Sequence, residues 1–153
     1  MPRKKAVSSS ITLREAGFLD VPSMVRIEKR CFKRPWGYEA FFSEMFKGFS
    51  RVFVAEEAGR ICGYVVLWVM PPEAYIANIA VDEGFRGRGI GSMLLEKAVD
   101  VAKEEGATYL VLEVRASNHA AQALYRKHGF EVVGVRRGMY HDGEDGLIME
   151  RLL

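Results

Sequence analysis

The run at residues 108–114, TYLVLEV, is too continuously apolar for an edge strand. It is expected to be buried on both faces, as a central strand flanked by helices is. The surrounding sequence supplies those helices. Upstream, IGSMLLEKAVDVAKEEG is the clearest amphipathic helix, with Met93, Leu94, Ala98, Val101 and Ala102 on one side and Gly106 as its stop. Downstream, Asn118 is placed to cap HAAQALYRKHG, which closes at Gly129. Nearer the N-terminus, ITLREA alternates like a short half-buried strand. LDVPSMVRIEKRCF follows as a helix, with Asp20 as cap, Pro22 in the first turn, and Val21, Met24, Val25, Ile27 and Phe32 as its buried face. YEAFFSEMFKG reads as a second short helix ended by Gly48. RVFVAEEAGRICGYVVLWVM reads as a hairpin turning at Ala58 and Gly59 and stopped by Pro71 and Pro72. AYIANIAVD is the next strand, and FEVVGVRR pairs with GLIMERLL in a last hairpin across GMYHDGEDG. The order β-α-α-β-β-β-α-β-α-β-β implies a three-layer α/β domain with a mixed sheet.

A chain of 153 residues that is 49% hydrophobic has apolar material for one substantial core, so one domain is expected over residues 11–153. MPRKKAVSSS, residues 1–10, reads as a disordered basic tail whose plainest role is solubility. It lacks the apolar centre of a signal peptide, and no apolar run approaches the ~20 residues that span a bilayer. Lysine and arginine total 22 against 20 acids, a net charge of +2, which is too balanced for binding nucleic acid mainly through phosphate neutralisation. Cys31 and Cys62 form no CxxC, so no disulfide framework or zinc site is indicated and a reducing cytoplasm fits. His119, His128 and His141 have no ligand spacing, DGED lacks the EF-hand pattern, and no metal is expected.

VDEGFRGRGIG, residues 81–91, sets two arginines among four glycines between a strand and the long helix. N–H groups at a helix N-terminus lack intrahelical partners and sit at the positive end of the helix dipole, so they attract phosphate oxygens. Gly87, Gly89 and Gly91 would let a pyrophosphate approach without meeting a Cβ, and Arg86 and Arg88 could add charge-assisted bonds at the rim. The bland alternative is a tight turn with solvated arginines. The R-G-R-G-x-G alternation favours a phosphate site over it. A P-loop is excluded by the missing GK[ST]. A dinucleotide fingerprint fits poorly, because the third glycine is misplaced by one and DEGFR intervenes after Val81.

VDEGFRGRGIGSMLLEKA, followed by LEVRASNHAAQALYRKHGFEVVGVRRGMYHDGEDGLIMERLL, resembles the GCN5-related N-acetyltransferase (GNAT) superfamily, and within it the RimI-type protein N-terminal acetyltransferases. The resemblance covers roughly residues 11–153. It implies the GNAT fold, a mixed and mostly antiparallel central sheet with helices on both faces, and acetyl-CoA as cosubstrate. It also implies that Arg86, Gly87, Arg88, Gly89, Ile90 and Gly91 hold the pyrophosphate. The backbone of the splayed strand at Ile79 and Val81 would meet the coenzyme, with the Val81 N–H bonding the acetyl carbonyl, and Asn118 would bond the pantetheine arm.

Acyl transfer to an amine needs a neutral nucleophile, a donor for the developing oxyanion and a proton for the departing thiolate. An α-amine of pKa 7.7–8.0 is roughly a tenth neutral at pH 7, against about one in two thousand for a lysine near 10.4. An N-terminal amine is therefore the easier substrate. Glu113 interrupts the apolar strand, where a charge must be paired or put to use, and Arg115 or Lys103 are the partners a purely structural role would choose. In the family, the glutamate at this position is the general base. Tyr125 lies inside the helix begun at Asn118 and by packing alone is a core aromatic; the resemblance places it beside the coenzyme sulfur as proton donor. Tyr75 matches a position where some relatives keep a second catalytic tyrosine or histidine, with core or rim packing as the default.

Phe32, Pro35, Trp36 and Tyr38 fall between the first two helices, where the family forms one wall of its peptide groove, although such aromatics also suit a satellite core cluster. The other wall carries Tyr140, while Met139 stands where relatives commonly have a second tyrosine. The expected partners are protein or peptide N-termini, ribosomal proteins among them, and the enzyme is expected as a monomer or weak dimer without membrane or specific nucleic-acid partners. Two rival readings remain: a GNAT enzyme for a small amine or a lysine side chain, and a non-catalytic acetyl-CoA-binding module that touches RNA through PRKK.

Overall fold

The computed structural model describes residues 10–153, so apart from Ser10 the expected basic tail lies outside the described residues. The elements are β1 (Thr12–Glu15), α1 (Val21–Cys31), α2 (Tyr38–Phe46), β2 (Ser50–Glu57), β3 (Arg60–Met70), β4 (Glu73–Val81), α3 (Ile90–Glu104), β5 (Tyr109–Arg115), α4 (His119–Lys127), β6 (Glu131–Arg136) and β7 (Gly146–Leu152), with 3-10 turns at Phe18–Asp20 and Glu83–Phe85. This is the order expected from the sequence. The strands form a sheet in the order β1-β2-β3-β4-β5-β7-β6. β1 with β2, β5 with β7 and β6 with β7 are antiparallel; β4 and β5 are parallel. The described residues fall into two compact units: those through Val66 with Asn78–Leu94, and Leu67–Ala77 with Leu95–Leu153.

In the first unit, α1 buries Val21, Met24, Val25 and Ile27 as its periodicity requires, and a fifth residue, Glu28, lies on the same face at 2% exposure. Phe32 departs from the expected face. The chain turns extended there, with φ −129° and ψ 144°, and the ring is 40% exposed. Asp20 stands at the N-cap but does not cap. Its carboxylate accepts from the Gly17 N–H at 2.7 Å and from two Arg14 guanidinium nitrogens at 2.8 and 2.9 Å. Arg14 thereby holds the Asp20 carboxyl below the usual range. α2 ends at Phe46, before Gly48 is reached. The β2–β3 turn has Ala58 and Gly59 at φ +49° and +80°, the pair of left-handed residues that a two-residue hairpin turn demands.

In the second unit, β5 is not buried on both faces. Leu110, Leu112 and Val114 point inward, whereas Tyr109, Val111, Glu113 and Arg115 are half-buried. The second face carries an acid and a cation that need partners and some contact with water. On α3, Leu94, Ala98, Val101 and Ala102 are buried as expected, but Met93 is half-buried, and Leu95 and Val99 are inside. The Asn118 side chain caps α4 by accepting the Ala121 N–H at 3.1 Å. β6 is an exposed edge with an irregular register between Val132 and Gly134.

One close approach in the first unit governs where α3 starts. A Cβ on Gly63 would lie 3.0 Å from the Ala80 carbonyl oxygen, 3.1 Å from Leu94 Cδ1 and 3.4 Å from Ile90 Cγ2. The carbonyl cannot rotate away as a side chain can. Gly63→Ala should therefore destabilise the protein by about 1–3 kcal/mol, read as a lower urea midpoint with an unchanged slope.

Candidate active site

In the first unit, β4 runs out at Val81, and Asp82 turns the chain. The Asp82 N–H donates to the Cys62 carbonyl at 2.8 Å, and its Oδ1 accepts from the Glu83 N–H at 2.9 Å and from Arg30 at 3.2 Å. Gly87 and Gly89 then take φ +78° and +80°, a region that a side chain would strain, with nothing within 4 Å of where a Cβ would stand. The first helical bond runs from the Met93 N–H to the Gly89 carbonyl at 3.1 Å, so the preceding N–H groups of the turn carry no helical bond. The loop thus presents backbone donors with no bulk in front of them, a shape suited to anionic oxygens.

The arginines of the loop are engaged. Arg88 forms a forked pair with Glu57 at 2.6 and 3.2 Å and lies over the Phe85 ring at 5.4 Å. Arg86 folds back, donating from Nε to the Val81 carbonyl at 3.3 Å and from Nη2 to Cys31 Sγ at 3.2 Å. The register of β4 with β5 runs only from Glu73 to Tyr75, opposite Tyr109 to Val111, so Ile79 and Val81 lie beyond that ladder.

In the second unit, the structure brings Tyr75 and Glu113 together. The Tyr75 hydroxyl donates to Glu113 Oε1 at 2.8 Å, and Arg136 reaches Glu113 Oε2 at 3.2 Å. The glutamate side chain is 12% exposed and Arg136 is 62% exposed. Neither Arg115 nor Lys103, the partners expected from sequence, takes this role. Arg115 is held by Asp142 at 2.9 Å and Glu144 at 2.9 Å, and its guanidinium stacks on the Tyr140 ring at 4.1 Å. Burial first, and then the Glu113 bond, push the Tyr75 phenol well above its ordinary value, so it remains a donor. Its ring packs on Trp68 at 5.5 Å.

Tyr125 is 7% exposed and packs on Phe130 at 6.0 Å; burial pushes its phenol up to about 12. Asn118 is exposed and uses its oxygen for the cap. Phe32, Pro35 and Trp36 occupy the segment between α1 and α2, and Tyr38 opens α2, 49% exposed. Met139 packs over Gly146, whose missing side chain makes the room. Among the described residues, no group of three or more His, Cys, Asp or Glu could hold a metal ion, and no helix is long and apolar enough to cross a membrane.

The profile of the Acetyltransferase (GNAT) family matches residues 21–130. The chain belongs to the GNAT family. It is an N-acetyltransferase, and acetyl-CoA is the acetyl donor of its family. It is 38% identical over 133 residues to the [ribosomal protein bS18]-alanine N-acetyltransferase of Salmonella typhimurium, covering 85% of this chain and 89% of that one. It is 33% identical over 150 residues to an N-alpha-acetyltransferase of Sulfurisphaera tokodaii, with 90% of each covered. The crystal structure of the ribosomal-protein-S18-alanine N-acetyltransferase from Escherichia coli superposes with a TM-score of 0.86 at 35% identity, over 93% of both chains.

Two groups in this GNAT enzyme escaped the sequence reading. Arg136, the cation on Glu113, sits on a strand that is not adjacent to β5 in the sheet. Glu28 accepts hydrogen bonds from the Tyr64 hydroxyl, from Asn78 Nδ2 at 2.8 Å and from the Trp36 N–H at 3.0 Å. Its signal was present as an acid on an apolar helical stripe.

Arg115 pins the turn that carries Tyr140, and Glu144 adds a bond to the Ser117 N–H at 2.7 Å. Arg115→Ala should speed amide exchange in residues 137–145 while lowering the thermal midpoint by only about 3 °C, the scale of an exposed ionic network in a chain this size. Mass-spectrometric hydrogen exchange with a thermal scan checks both.

Proposed function

We propose that this enzyme acetylates the N-terminal α-amine of proteins, an alanine-initiated ribosomal protein among them. The observation that carries the reading is the half-buried Glu113 carboxylate, oriented by Tyr75 and Arg136 on an otherwise apolar strand. A carboxylate is a weak base. It matches a nucleophile that is already roughly a tenth neutral at pH 7, and it is poorly matched to a lysine side chain. The relatives named for α-amine and ribosomal-protein alanine acetylation support the same substrate class.

The residues fit acetyl-CoA: Gly87 and Gly89 leave open space at a helix N-terminus, where a pyrophosphate would rest with Ile90 and Gly91 behind it. Arg88 and Arg86 would turn toward it from Glu57 and Cys31. Acetyl-CoA supplies a thioester whose acyl carbon the amine attacks. In the first unit the Val81 N–H would donate to the carbonyl oxygen as charge builds there, and Ile79 would meet the pantetheine arm; in the second unit Asn118 is the residue that would bond that arm. Glu113, through water, takes the proton of the amine. Tyr75 acts through Glu113 by fixing its carboxylate and is a positioning residue.

Tyr125 donates its hydroxyl to the departing sulfur. A phenol near 12 is a weaker acid than a thiol near 8.5. Its part is thus a hydrogen bond to the developing thiolate, and the proton that finally rests on sulfur originates from the attacking amine. In the first unit Phe32, Pro35, Trp36 and Tyr38 would supply a peptide wall, and in the second unit Tyr140 would contact the peptide.

Incubation with acetyl-CoA and peptides differing in their first two residues, read by mass spectrometry, should place acetyl groups on α-amines, with alanine-first peptides among those accepted. Transfer only to lysine side chains or small amines, or coenzyme binding without transfer, would overturn the reading. Glu113→Gln should lower kcat roughly a hundredfold at neutral pH, with partial recovery as rising pH deprotonates the amine unaided. Tyr125→Phe should lower kcat while acetyl-CoA affinity stays within about twofold; lost affinity with kcat intact would make Tyr125 a packing residue.

A further inference from the structure

The first unit buries several acids, and one of them, Glu28, takes no part in the acetyl-transfer chemistry proposed above. Glu28 is 2% exposed, and among the described residues no cation pairs with it. Three donors stand in for one: the Tyr64 hydroxyl and Asn78 Nδ2 on Oε1, and the Trp36 N–H on Oε2. A carboxylate sealed from water and held only by neutral groups is costly unless every bond is kept, so its geometry is tightly determined. Two of the donors come from β3 and β4. The third comes from the segment between α1 and α2.

That third bond closes a ring of contacts. The Trp36 indole packs on Phe41 at 5.2 Å, Phe41 meets Tyr64 edge-on at 5.4 Å, and Tyr64 returns to Glu28. Around this anchored residue the segment is exposed: Phe32, Lys33, Arg34 and Pro35 all face solvent. Helix α1 ends at Cys31 and α2 starts at Tyr38, so within 32–37 no helical hydrogen-bond ladder fixes the backbone. Burial and the Glu28 carboxylate push the Tyr64 phenol far above its ordinary value, so Tyr64 remains the donor at any working pH.

We propose that Glu28 is a positioning residue that sets the peptide-binding wall, acting through its bond to the Trp36 N–H to hold residues 32–37 in the conformation that receives the substrate N-terminus. This rests on the α-amine reading above. At 2% exposure the residue offers almost no surface to a substrate or coenzyme, so it acts through its neighbours. A wall held in place before binding spares the peptide the entropy of ordering it, so its loss should appear in peptide KM.

Glu28→Gln separates this role from simple stability. The amide oxygen can still serve Tyr64 and Asn78, which leaves an NH2 opposing the Trp36 N–H, donor against donor. We expect peptide KM to rise about tenfold, equivalent to about 1.4 kcal/mol, with kcat and the acetyl-CoA dissociation constant each within about twofold of wild type. Amide exchange should accelerate in residues 32–37. Tyr64→Phe, which disturbs the same cluster but spares the Trp36 bond, should lower the thermal midpoint and leave peptide KM in place. Should Glu28→Gln fail to fold, Glu28→Asp, which withdraws the carboxylate by one methylene, carries the same expectations.

An unchanged peptide KM in the folded variant overturns the proposal, and so does a common fall in kcat, peptide affinity and coenzyme affinity. Failure of the wild-type enzyme to acetylate any peptide α-amine would overturn the substrate reading instead. Exchange at 32–37 would still decide whether Glu28 holds the segment, since unchanged exchange there rejects it.

Discussion

Helix α3 begins where it does because position 63 has no side chain. The backbone of β3 comes so near the Ala80 carbonyl and the first turns of α3 that even a methyl group would meet a carbonyl oxygen at 3.0 Å. That proximity lets the Cys62 carbonyl take the Asp82 N–H, which turns the chain out of β4 and sends it through Gly87 and Gly89 into the helix. The first turn of α3 therefore owes its position to a packing contact several residues away from it. The shape of this glycine-rich loop is a property of the strand beneath it.

Glu113 and Glu28 illustrate how far the settings of two acids can differ. Glu113 has a phenol on one oxygen and a largely exposed arginine near the other. Glu28 has three neutral donors and no opening, so its charge can only fix neighbours in place. Two glutamates thus stand in unlike settings, one beside a phenol and an exposed cation and one among neutral donors alone. The contrast follows from exposure and from the charge of the partners, with no difference in residue type.

Element order was legible in the sequence because most helices and strands are set apart by apolar patterning and by nearby prolines, glycines or capping residues. The loop of residues 81–91 and the acid in β5 were legible for the same reason, being local exceptions to a local pattern. Pairings were not. Arg136 reaches Glu113 across the intervening β7, since Ile148 faces Glu113 on one side and Gly134 on the other, and no local spacing encodes that register. Tyr64 and Asn78 lie 36 and 50 residues from Glu28. Phe32 looked buried because the helical period ran one residue past the point where the backbone leaves the helix. β5 looked buried twice because a run of valine, leucine and tyrosine does not record that its odd-numbered members share a face with Glu113 and Arg115.

Met139 packs into the space that Gly146 leaves, with the Tyr140 ring 3.3 Å from where a Cβ would stand. The thioether and the bare backbone are two halves of one shape. Any side chain at 146 would evict Met139 and press on Tyr140, and a rigid ring at 139 would have to find other accommodation. Positions 139 and 146 thus form a single mutational unit, and a lineage that alters one of them has to pass through, or compensate at, the other.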